Sequence, residues 1–137
     1  MSYEKVDEYI LGLSPTPFFL HFTTRENWDK IQKEGLVPQP QSPLRRSMDG
    51  EPPLSENLIW LGREPIEAYD NRAECPIVIA LPLLLEDYGL RETIADAEAT
   101  TDKSIPTTVF LGVFDFAEQP EGKEGSAFAE WLDLLGN

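Results

Sequence analysis

The chain is poor in the residues that most often build a chemical centre: it holds one cysteine, Cys75, and one histidine, His21, in 137 residues. A lone cysteine closes no internal disulfide, and one cysteine with one histidine cannot supply the four ligands of a structural zinc site. A reducing cytoplasm is the expected setting. Cations are also scarce, with 11 Lys and Arg against 25 Asp and Glu and a formal charge of −14. Such a surface repels phosphate backbones at long range, so direct nucleic-acid binding is disfavoured, whereas a basic protein would be attracted. No apolar run reaches membrane length. The longest, "PIVIALPLLL" at 76–85, contains two prolines and is about half what a spanning helix needs. The opening "MSYEKVDEYILGLS" carries acidic residues ahead of any apolar stretch, unlike a signal peptide. Glycine-rich phosphate loops, a GxSxG elbow and metal-ligand spacings are all missing, which removes most familiar enzyme classes.

What is present reads as one globular domain spanning 1–137, since 41% hydrophobic and 26% charged residues suit a packed core. Val6, Tyr9, Ile10 and Leu13 recur at helical spacing over 3–13, before Pro15 and Pro17. "FFLHF" then predicts a strand covered on both faces, with Phe18, Leu20 and Phe22 on one side and Phe19 and His21 on the other. Thr23 and Glu26 have capping-box spacing, Trp28 and Ile31 share a face, and Gly35 and Pro38 stop the helix expected over 25–34. A long proline-rich loop follows over 38–55, carrying Arg45 and Arg46. Later come a strand at 57–62, a short helix entered at Pro65, and a buried strand in "CPIVIALPL". A short strand near 91–95 with a loop after it, and a strand over 107–116 with a bulge at Gly112, come next. A last helix is capped by Ser126 and faces inward through Phe128, Trp131, Leu132 and Leu135. Helices and strands do not alternate regularly, so the expected class is α+β, a mixed, mostly antiparallel sheet with flanking short helices.

The stretch "HFTTRENWDKIQKEGL" resembles the opening motif of the ADP-ribosyltransferase superfamily, in particular its branch with RNA 2′-phosphotransferases and DNA-modifying toxin transferases. There a His-x-Thr at the end of the first strand holds the adenosine ribose of NAD, and His21 and Thr23 match those positions. "LIWLGREPIEAYD" is similar in layout to the family's second element, with Trp60 at the strand position and Tyr69 where a ring stacks on nicotinamide. "AEATTDKSIPTTVFLGVF" resembles the third, which implies Glu98 as the catalytic carboxylate, with Asp96 and Asp102 as its competitors nearby. The resemblance spans roughly residues 18 to 114 and implies an ADP-ribosyltransferase-like fold that uses NAD.

The chemistry is coherent with these residue types. Cleaving the nicotinamide–ribose bond builds positive charge on the sugar, which a fixed carboxylate stabilises. An aromatic face suits nicotinamide. A neutral imidazole can donate to a ribose oxygen from one nitrogen while the backbone holds the other. The pyrophosphate wants cationic donors, for which Arg45, Arg46, Arg63 and Arg72 all qualify. The same residues have structural uses: a strand histidine bonded in the core, Thr23 as a cap, Trp60 and Tyr69 as core aromatics. Two functions follow as expectations. One is NAD-dependent transfer of ADP-ribose, with a protein as acceptor. The alternative is a non-catalytic acidic protein on the same scaffold that occupies a basic, nucleic-acid-binding partner.

Overall fold

Continuous β-branched and aromatic sequence favours extended backbone over β1 (Phe19–Thr23) and β3 (Ile77–Leu81). These two strands pair antiparallel through five registered residues, from Phe19↔Leu81 to Thr23↔Ile77. Every residue of β3 is buried, as its unbroken apolar run requires when both faces are covered. The computed structural model describes residues 16–38, 58–83, 88–94 and 98–136. The helix expected over 3–13, Asp96, and most of the proline-rich loop with Arg45 and Arg46 lie outside the described residues.

Four further strands complete the sheet: β2 (Ile59–Gly62), β4 (Arg91–Ile94), β5 (Glu98–Thr101) and β6 (Gly112–Asp115). Their spatial order is β4-β5-β2-β1-β3-β6. The class is α+β, but the mixed component of the expectation is absent: every registered pair among the described strands is antiparallel. Alternation within a strand carries no information on the direction of its neighbour.

Two stretches differ from the sequence reading. Residues 98–101, expected as loop, form β5, whose Ala99, Thr100 and Thr101 are all fully buried. Ala and Thr add little hydrophobicity, so the signal for this strand comes from what covers it. Residues 107–116, expected as one strand, begin with a 3-10 turn at Thr107–Val109, and only Gly112 onward joins the sheet. Pro106, extended at φ −72°, has no N–H for a ladder and instead supplies the carbonyl that Val109 N–H reaches. Nor does Gly112 bulge: it pairs in register with Ala80, and the irregularity lies between Glu92 and Ile94.

Helix α1 (Arg25–Glu34) covers the expected span, but its cap is one residue later than the predicted capping box. Thr24 is the cap, accepting from the Asn27 N–H at 3.1 Å, whereas Thr23 is the buried last residue of β1. Gly35 ends the helix at φ 80°, and Leu36 then exchanges two backbone bonds of 2.8 and 2.9 Å with Ile105. Helix α2 (Pro65–Asp70) begins on its proline as expected. Helix α3 (Glu124–Gly136) begins two residues before the predicted cap, so Ser126 sits in the first turn and donates to the Lys123 carbonyl.

The strand alternation sorts the core into two layers. Phe18, Leu20, Val78, Ala80 and Phe114 meet Ala68 and Tyr69 of α2 and Phe128 and Leu132 of α3, with Trp131 and Leu135 packed alongside. Phe19, Ile59, Leu61, Ile77, Ile79 and Leu81 meet Ile31 of α1 together with Leu36 and Ile105, with Trp28 packed against them. Among the described residues no helix is long and apolar enough to cross a membrane.

Candidate functional site

The sheet has one weak join. On one side β1 is laced to β3 through five registered pairs; on the other it meets β2 at a single pair, Leu20↔Gly62. The His21 side chain reaches across this join, with Nδ1 2.9 Å from the Trp60 carbonyl oxygen. An imidazole thus takes the place of a backbone ladder bond. A carbonyl only accepts, so Nδ1 carries the hydrogen and Nε2 the lone pair. Burial holds the His21 pKa below its ordinary value, and the bond to Trp60 offsets this only partly. The ring is therefore neutral near pH 7. With Nδ1 donating to the backbone, Nε2 is left as an acceptor.

The register across β2 decides what stands beside this seam. Gly62, the residue facing Leu20, pairs on its other side with Glu98, and Trp60 pairs with Thr100. Side chains at paired positions point to the same face, so Glu98, Thr100 and Trp60 share the face of Leu20, the layer into which α2 brings Tyr69. Glu98 is half-buried as the first residue of β5, whereas Asp102 is exposed just beyond the end of that strand. Thr23 stays with the opposite layer, paired with Ile77. The fold therefore brings Trp60, Glu98 and Thr100 together on one face, while His21, paired with Ile79, and Thr23, paired with Ile77, belong to the opposite layer, His21 being tied to the group only through the Trp60 carbonyl.

Tyr69 is 2% exposed. Its ring meets Phe116 edge-on at 6.1 Å, and the Arg72 guanidinium lies 3.8 Å from its centroid, fastened by Nη1 donating to the Tyr69 carbonyl at 2.6 Å. A ligand ring stacking there would have to displace Arg72. Of the other cations considered for a pyrophosphate, Arg63 donates from Nε to the Thr16 carbonyl at 2.6 Å, and Arg45 and Arg46 lie outside the described residues. Among the described residues no group of three His, Cys, Asp or Glu side chains could hold a metal ion.

Thr100 did not stand out in the sequence. Its side-chain oxygen is buried and has no hydrogen-bond partner among the described residues. The signal was the period-two spacing from Glu98, which becomes readable only once residues 98–101 are known to be a strand.

No family model matches the chain. No curated protein is similar to it in sequence either.

Proposed function

We propose that the protein is an NAD-dependent ADP-ribosyltransferase-like enzyme that transfers ADP-ribose, with a protein as acceptor. The observation that supports this most is the β1–β2 seam, where a neutral His21 is fixed on the carbonyl of Trp60, the residue whose side chain shares a face with Glu98 two strands from β1. His21 Nε2 would accept from a ribose hydroxyl. Trp60, half-buried on the face of Glu98, would offer an aromatic edge to the ligand. The orphaned buried hydroxyl of Thr100, on the face of Trp60 and Glu98, further suits a polyhydroxyl ligand.

In the reaction the nicotinamide–ribose C–N bond breaks, its electron pair leaves with nicotinamide, and a nucleophile of the acceptor bonds to the sugar carbon and gives up its proton. Glu98 would face the cationic carbon and stabilise the charge that develops there. The net charge of −14 makes a protein a better acceptor than a nucleic acid.

The alternative, an acidic protein that occupies a basic partner, is favoured by one observation: Arg72 already covers the ring of Tyr69. Titration with NAD, followed by tryptophan fluorescence, separates the two. The transferase reading expects saturable binding below about 1 mM, the upper end of ordinary enzyme affinities, weakened by His21→Gln in a folded variant. A folded wild-type protein that shows no binding at that concentration would overturn it and leave the acidic surface as the functional one.

A further inference from the structure

We propose that Thr100 is a substrate-contact residue, its Oγ1 exchanging a hydrogen bond with a hydroxyl of the ribose bound beside Glu98; this rests on the transferase reading above. Three observations lead to it. Thr100 is fully buried, and its hydroxyl has no partner among the described residues. Leaving a hydroxyl unbonded in a core is unfavourable, and a valine of the same shape would avoid the loss. The chain has not taken that route, although Val78 shows a valine fully buried in the same sheet.

The neighbouring buried threonines are satisfied. Thr101 donates to the Tyr88 carbonyl at 2.6 Å and accepts from the Lys103 N–H at 3.1 Å, and Thr16 donates to the Phe18 carbonyl at 2.5 Å. The orphan therefore does not reflect a general looseness of the core. Position supplies the third observation. Thr100 follows Glu98 by two residues and so shares its face, roughly 7 Å along the strand, and it pairs directly with Trp60, whose carbonyl holds His21. A hydroxyl both donates and accepts, so Thr100 can pair with a sugar hydroxyl in either sense, whereas the carboxylate of Glu98 on the same face only accepts. The hydroxyl thus waits, at some loss to the unliganded fold, for a group that the ligand brings.

The test uses the full chain with Thr100→Val and Thr100→Ser, read by thermal melting without ligand and by NAD titration. Thr100→Val should melt at or above the wild-type temperature yet bind NAD about five- to tenfold more weakly, the loss of one hydrogen bond. Thr100→Ser, which keeps the hydroxyl, should bind like the wild type. Equal NAD binding by wild type and Thr100→Val overturns the inference alone. A Thr100→Val protein that melts clearly lower also overturns it, because the hydroxyl would then have been satisfied in the free protein. Absence of NAD binding by the wild type overturns the transferase reading and this inference with it.

Discussion

Replacing Gly35 with alanine tests the junction that seats α1 against the segment leading into β6. Gly35 has φ 80° and ψ −173°, a region open essentially to glycine alone, and holding another residue there costs about 1–3 kcal/mol. A Cβ added at Gly35 would lie 2.5 Å from the Ile105 carbonyl oxygen and 3.1 Å from the Pro106 Cα, both backbone atoms. Neither can swing aside as a side chain does. The Ile105 carbonyl accepts from the Leu36 N–H at 2.8 Å, so moving it breaks that bond, a further loss of roughly 0.5–1.5 kcal/mol. Against this, alanine restricts the unfolded chain and returns about 0.4–1 kcal/mol. The net expectation is a loss of about 2 kcal/mol, or a melting temperature lower by roughly 8 °C. Gly89 is the internal control. Its φ of 64° is also positive, but the nearest atoms to a Cβ belong to the flexible Lys103 side chain, at 3.4 Å. Gly89→Ala should therefore lose only about 1 kcal/mol, the left-handed penalty by itself. Urea unfolding of both variants, compared at the midpoint with an unchanged slope, measures the difference. If Gly35→Ala and Gly89→Ala destabilise equally, the steric reading of the Gly35 junction is wrong.

His21 gives a stability that depends on pH, because its folded pKa lies below the ordinary value of 6.5. The unfolded chain binds the proton first, so stability is full above that value and falls as pH drops from it toward the folded pKa. Since His21 is the only histidine, the slope of wild-type stability in this interval should flatten in His21→Gln, and parallel curves for the two proteins would refute the assignment. Thr24→Ala should lose about 1 kcal/mol by removing the helix cap, whereas a Thr23→Ser change, which keeps the strand-end hydroxyl, should leave α1 helicity unchanged by circular dichroism. Phe128 is fully exposed to neighbours and not to water, at 0%, so Phe128→Ala should lose about 3–5 kcal/mol in denaturant. Leu134, at 69% exposure, should tolerate alanine within about 0.5 kcal/mol. The pair formed by Arg25, about half exposed, and Asp115 ties the start of α1 to the end of β6. Its coupling, measured by a double-mutant cycle, should shrink in high salt.

How much of this was legible in the sequence follows from where each signal resides. Long, strongly patterned segments carried their own answer: the alternation of "FFLHF" separates Phe18 and Leu20 from Phe19, as the two core layers do, and Phe128 and Leu132 of α3 face inward from their spacing. Short elements whose burial is conferred by others did not. Nothing within "EATT" distinguishes a loop from a strand between β4 and β2, and the Thr23–Thr24 ambiguity at the start of α1 is settled only by which threonine pairs into the sheet. For the site, the position of His21 within the first strand was readable, although it is the middle residue of β1 and not its end, and the partner of its ring was not readable. That partner is the Trp60 carbonyl, 39 residues away, which no local pattern reports. Tyr69 was identified by motif position, whereas its cover by Arg72 arises from the turn that follows α2.

The strand order has a consequence for how the protein is made. Pairing groups β1, β3 and β6 on one side of the weak join and β2, β4 and β5 on the other. The chain crosses between the two groups repeatedly, so neither is a contiguous stretch that could be cut out and kept folded. During synthesis, β1 waits some 54 residues for its full partner β3, and β3 keeps one edge bare until Gly112–Asp115 is made. The nascent chain therefore carries unpaired apolar strands over the whole interval from β1 to β6. That interval, more than the finished fold, is where a chaperone would be needed.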